Sequence, residues 1–119
     1  PGQFAMPSPA LTVGDVVRWR GSLHVIAGIQ SGRAALCPVL PARTVRHRAD
    51  ILIEFPDTLY LGVVDGALIR CKPFVVHNAH KLAKDGALSP ALVSRVQRAI
   101  ERELDVRRVE AGCPKYLVR

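Results

Sequence analysis

The chain has 119 residues, of which 49% are hydrophobic, and it carries a formal net charge of +7 at neutral pH. So much apolar material can form a core without disulfide or metal support, which argues against disorder over most of the chain. No apolar stretch is long enough to cross a bilayer and no signal-peptide pattern is present, so we expect a cytoplasmic protein with no membrane partner. The three cysteines have neither disulfide-framework nor zinc-ligand spacing, and we expect no metal and no cofactor.

The charge balance points to a polyanionic partner. Lys and Arg total 17 against 10 Asp and Glu, and aromatic residues make up only 5% of the chain. This excess of cations favours RNA or another nucleic acid, recognised through charge more than through a broad stacking platform. A basic surface that serves only solubility is the alternative.

The first part of the chain reads as a short lead followed by strands. Met6 is interpreted as the native start, so that residues 1–5 are a tag remnant and residues 1–10 lie outside the domain. The patterns of apolar residues predict strands over residues 16–20 and 23–29, with Gly21-Ser22 as the hairpin turn between them.

More short strands follow at close spacing. Apolar runs bounded by turn residues predict strands over residues 34–40, 51–55, 61–64, 67–71 and 74–76. Pro38 must lie at an edge or a bulge because it has no N–H for a ladder. Asp65-Gly66 is either a hairpin turn or a bend. We therefore predict a mainly β (α+β) fold, a small SH3-like barrel of five to seven short strands with a C-terminal α-helix.

The C-terminal helix has the clearest signal. Ser89 is a good N-cap, and Pro90 takes the first helical position, where its missing N–H costs nothing. One apolar stripe follows with helical spacing: Leu92, Val93, Val96, Ala99, Ile100 and Leu104. The pattern loosens after Asp105, so the predicted domain covers residues 11–104 and residues 105–119 form a C-terminal tail, either disordered or docked on a partner.

Four segments, in this order, resemble the MazF/PemK family of toxins from toxin-antitoxin systems. They are Gly14-Asp15-Val16-Val17, Leu36-Cys37-Pro38-Val39, residues 62–71 and residues 81–100. The resemblance implies an SH3-like barrel, a homodimer, a partner antitoxin protein and metal-independent endoribonuclease activity. The CcdB toxins share this barrel and act on a protein target, so the fold leaves the function open.

The resemblance also implies site residues. Arg20 matches the arginine that the family places at its second strand, Arg70 matches the later arginine, and His24 is a candidate base. Leu40 stands where the family has a hydroxyl, and Lys72 stands where it has a carboxylate. This degenerate catalytic set favours RNA binding over cutting. On a strand, His24 is alternatively a half-buried packing residue.

The densest positive charge lies between the third and fourth predicted strands. Arg43, Arg46, His47 and Arg48 lie within six residues and, together with Arg18, are the predicted nucleic-acid-binding residues. The alternative for this loop is a flexible, solvated segment. On the functional level, the alternatives are a non-catalytic nucleic-acid- or protein-binding regulator on the same barrel, or a CcdB-like inhibitor of a protein target.

Overall fold

The computed structural model describes the backbone of residues 10–117 and the side chains of residues 10–112. The proposed tag remnant at residues 1–5 lies outside the described residues. Seven strands, two α-helices and a 3-10 helix (Ala79–Lys81) are present in this part of the chain. In chain order the strands and α-helices are β1 (Asp15–Trp19), β2 (Ser22–Gln30), β3 (Arg33–Leu40), β4 (Asp50–Leu52), α1 (Asp57–Leu61), β5 (Leu68–Arg70), β6 (Phe74–Val76), β7 (Ala83–Ala87) and α2 (Pro90–Leu117).

All strand pairs are antiparallel, and the sheet has the order β4-β5-β3-β2-β1-β7, with β6 also paired to β3. One edge of β3 pairs with β2, while the other pairs first with β6 and then with β5. Pro38 lies between these last two stretches, where the second ladder is interrupted and a missing N–H is tolerated. The predicted fold class, a mainly antiparallel β-sheet with a C-terminal helix, is confirmed.

The hairpin turn between β1 and β2 lies one residue earlier than the sequence suggested. Arg20 and Gly21 form it, with φ values of 52° and 80°. Two central residues with positive φ match the right-handed twist of the flanking strands, which favours a two-residue loop. The shift places Arg20 at the tip of the hairpin instead of at the end of a strand.

Two other predictions need correction. The strand expected over residues 61–64 does not form: Leu61 ends α1, Gly62 caps the helix in a left-handed conformation (φ 67°), and residues 63 and 64 lie outside any strand. Strand β7 was not predicted at all. It pairs only with β1, and its exposed Lys84 and Asp85 give it no apolar alternation that sequence patterns could detect.

The sheet buries apolar side chains in two clusters. The larger cluster lies under α2 and includes Val16, Val25, Cys37, Ile69 and Cys71, while a smaller one gathers Val17, Ile26, Ala34, Leu36 and Val76. Burial raises the pKa of both thiols, Cys37 and Cys71, to about 12. Both cysteines are free and act as small core hydrophobes, as their apolar surroundings in the sequence suggested.

Helix α2 begins as predicted, although it ends much later. The backbone N–H of Leu92 donates to Ser89 Oγ (3.3 Å), and the Ser89 hydroxyl itself donates to Asp57 (2.8 Å). The helix then continues through the predicted tail to Leu117. Among the described residues, no helix combines the length and the apolarity needed to cross a membrane.

The buried face of α2 does not follow the predicted stripe to its end. Leu92, Val96 and Ala99 are buried as expected, but the next position toward the sheet is Glu103, whose side chain is only 3% exposed. Leu104 is 44% exposed. A carboxylate therefore takes the last buried position of α2 among the side chains that the structure describes, and it needs a cationic partner.

Candidate nucleic-acid interface

Three aromatic rings meet beside the β1–β2 hairpin. The ring centroids of Trp19 and His24 are 5.4 Å apart, and Phe74 of β6 lies 5.1 Å from Trp19 and 5.7 Å from His24. The guanidinium carbon of Arg20 lies 4.5 Å from the centroid of the Trp19 ring. We call Trp19, Arg20, His24 and Phe74 the hairpin cluster. Two of the three predicted catalytic residues, Arg20 and His24, thus lie around one indole ring.

His24 is buried in this cluster and has a defined tautomer. Its Nδ1 lies 2.9 Å from the carbonyl oxygen of Ser22, which can only accept, so Nδ1 carries the hydrogen. In the neutral ring this leaves the lone pair on Nε2. Within residues 10–112, Nε2 has no hydrogen-bond partner, and no buried side-chain nitrogen or oxygen lacks one. The Nε2 atom is therefore not completely buried, although His24 as a whole is only 6% exposed.

Arg70 belongs to a different network. Its Nε and Nη2 atoms bind the two carboxylate oxygens of Asp50 at 2.8 and 2.9 Å, and Nη2 also donates to the Val45 carbonyl at 2.7 Å. The Asp50 side chain is fully buried. Burial alone would raise the pKa of Asp50, but hydrogen bonds from Arg70 and the His47 N–H outweigh it, and the pKa is lowered. Arg70 thus compensates a buried charge.

The loop between β3 and β4 is held in place by hydrogen bonds. The His47 N–H donates to Asp50 (2.7 Å), and His47 Nδ1 accepts from the Ala49 N–H (2.9 Å). Arg48 binds both Glu103 and Glu110 of α2, with shortest contacts of 2.8 and 2.9 Å. Two of the predicted nucleic-acid-binding residues, His47 and Arg48, therefore contribute to the structure of this loop.

The remaining predicted cations face solvent. Arg18 makes a surface ion pair with Asp85 at 3.3 Å, and its side chain is 58% exposed. Arg43 and Arg46 are exposed, and neither has an ion-pair partner within the described part of the chain. Arg20, Arg43 and Arg46 are therefore the predicted cations best placed to bind a phosphate.

Sequence reasoning missed four residues that shape these contacts. Trp19 lies under Arg20, and Phe74 packs beside it. The predicted Gly21-Ser22 hairpin would have placed Trp19 directly opposite His24, whereas the observed register places the two residues diagonally opposite each other. Glu103 and Glu110 hold Arg48, and their seven-residue spacing puts them on one face of a helix. Among the residues described, no group of three potential metal ligands occurs.

Comparisons with protein-family models, curated proteins and solved structures give no match for this chain.

Proposed function

We propose that the protein binds single-stranded RNA and that the hairpin cluster is the principal contact. The observation that carries this proposal is the position of the Arg20 guanidinium over the Trp19 ring, beside His24. A cation next to aromatic faces can bind a phosphate while a ring stacks on an unpaired base. Base stacking on an aromatic side chain contributes about 1–3 kcal/mol.

Two exposed arginines of the β3–β4 loop would add positive charge to the RNA contact. Arg43 and Arg46 would each neutralise a phosphate of the backbone without reading the sequence. The resemblance to MazF/PemK toxins is what favours RNA over DNA. A homodimer, an antitoxin partner and a cytoplasmic location belong to the same proposal and depend on that resemblance alone.

Metal-independent RNA cleavage is a second candidate function, and the Nε2 atom of His24, which has no hydrogen-bond partner among the described residues, favours it. With its hydrogen on Nδ1, His24 presents a lone pair that can accept the proton of a ribose 2′-hydroxyl. Arg20 nearby could stabilise the charge that develops on the phosphorane. The site lacks the family's hydroxyl, since Leu40 stands there, and Arg70 is engaged with Asp50. Binding is therefore the primary proposal.

The binding proposal is tested with a labelled single-stranded oligoribonucleotide, by fluorescence anisotropy in the presence of EDTA. Arg20→Ala should weaken binding about tenfold, since it removes a charge-assisted contact and the cation over Trp19. Arg98→Ala is the matched control, because it removes an exposed arginine from α2. It should change affinity less than about twofold. Equal losses in both variants would contradict a role for the hairpin cluster.

Cleavage is tested on a longer RNA under the same conditions, with the fragment ends mapped. If His24 is the general base, His24→Gln should slow cutting by about 100-fold or more while RNA binding persists. Circular dichroism would verify that the variant is folded, since His24 is packed between two rings. Intact RNA after incubation with the wild-type protein would reject the cleavage candidate and leave binding in place.

A further inference from the structure

Arg48 has both of its bidentate edges occupied. The edge formed by Nε and Nη2 faces Glu103, with nitrogen–oxygen distances of 2.8 and 3.3 Å. The opposite edge, formed by Nη1 and Nη2, faces Glu110 at 2.9 and 3.0 Å. Such paired N–H···O contacts are the geometry in which a guanidinium also binds a phosphate.

The two glutamates are not equivalent. Glu103 is 3% exposed and also accepts from Arg107 Nε at 3.0 Å, so its removal from Arg48 would leave a buried carboxylate short of a partner. Glu110 is 56% exposed and can be hydrated if it leaves. Glu103 therefore orients the guanidinium, while Glu110 can be exchanged for another anion.

We propose that the Nη1/Nη2 edge of Arg48 is a phosphate-binding site that Glu110 occupies as an internal competitor. Arg102 lines a pocket with Arg48 and Glu103, beside Ala49 and Ala99, so a second cation lies near the Arg48–Glu103 pair. A phosphate that replaced Glu110 would keep the bidentate contact and restore the lost negative charge. If the anion is a phosphate of the RNA backbone, this inference rests on the proposed RNA binding. Glu110 of α2 then weakens RNA binding, because it competes with that phosphate for Arg48.

The first test uses inorganic phosphate and the ¹⁵N-labelled protein, with the Nε–H signal of Arg48 as the probe. Glu110→Gln keeps the shape of the side chain and removes its charge. Glu101→Gln is the matched control, since Glu101 is exposed on the same helix and has no ion pair among the described residues. We expect the Arg48 signal of Glu110→Gln to saturate at about tenfold less phosphate than that of the control. Coincident titrations of the two variants would overturn the site.

The second test uses the single-stranded oligoribonucleotide at several salt concentrations. Glu110→Gln should bind it about threefold or more tighter than Glu101→Gln, with a salt slope steeper by about 0.7, which corresponds to one added phosphate contact. Adding Arg48→Gln to Glu110→Gln should abolish that gain. If the two single variants bind RNA alike, the inference is overturned while the proposed function stands. If phosphate distinguishes them but no form of the protein binds RNA, the anion site stands and the proposed function fails.

Discussion

At the scale of single residues, the partner of each arginine decides what that arginine can do. Arg20 lies over an aromatic ring and faces solvent, whereas Arg70 neutralises the buried carboxylate of Asp50 and supports the Val45 carbonyl. A buried carboxylate without a cation is costly, since its desolvation is no longer compensated. Arg70 is therefore best understood as a stabilising residue of the β4–β5 pair.

Replacing Arg70 with Ala should destabilise the protein by about 3 kcal/mol, because it leaves Asp50 buried and unpaired. Urea unfolding followed by circular dichroism measures this loss. Arg43→Ala, at an exposed position in the neighbouring loop, should change stability by about 0.5 kcal/mol at most. A loss for Arg70→Ala no larger than that of the control would show that the ion pair contributes little to stability.

The sequence could locate candidate cations but not their partners. The strand pattern around residues 16–29 was sufficient to bring Arg20 and His24 to one hairpin, because that contact is local. The pairs Arg70–Asp50 and Arg48–Glu103 join residues that are 20 and 55 positions apart. Such pairs depend on how the strands and α2 pack together, and no short-range pattern encodes them.

At the scale of elements, α2 shows why a helix can continue beyond the end of its apolar stripe. The apolar stripe ends at Glu103, whose side chain is buried against the sheet, and ion pairs follow it. Arg48 and Arg107 bind Glu103. Arg108 pairs with Asp105 at 2.9 Å. Contacts between side chains three or four positions apart support a helix without burying apolar surface. The signals at Ser89 and Pro90 therefore predicted the start of α2 correctly, whereas apolar periodicity predicted its end too early.

The acid stability of the protein should depend on Glu103. Hydrogen bonding to Arg48, together with the contact to Arg107, lowers the pKa of Glu103 from 4.5 to about 2. A carboxyl group whose pKa is lower in the folded state stabilises the fold above its ordinary pKa, and the stabilisation disappears as the pH falls toward the folded value. The stabilisation by Glu103 should thus be complete at neutral pH and be lost between about pH 4.5 and pH 2.

Urea midpoints between pH 7 and pH 2.5 test this expectation in Glu103→Gln. The variant should be less stable than the wild type at pH 7, and the difference should shrink as the pH falls, because only the wild type loses the Glu103 charge. Glu101→Gln makes the same charge change outside the network and should follow the wild-type profile. A constant difference between Glu103→Gln and the wild type across the range would contradict the role assigned to Glu103.

At the scale of the whole molecule, ion pairing leaves the net charge of +7 unchanged but decides where the excess positive charge lies. Arg48, Arg70 and Arg107 are engaged with carboxylates, and Arg18 lies close to Asp85. Ion pairing within the fold therefore determines at which positions a positive charge is left without a neighbouring carboxylate. This distribution is what a sequence count cannot provide, since it sums all charges regardless of their partners.

The salt dependence of RNA binding measures how many of these cations take part. If Arg20, Arg43 and Arg46 each neutralise one phosphate, the logarithm of the binding constant should fall with the logarithm of salt concentration with a slope of about −2. Arg43→Gln and Arg46→Gln should each reduce the magnitude of that slope by about 0.7, because one counterion fewer is released. Arg98→Gln, on the exposed face of α2, should leave it unchanged. Equal reductions for all three variants would mean that RNA is attracted to the entire basic surface, and the contact could then not be assigned to the hairpin cluster and its neighbouring loop.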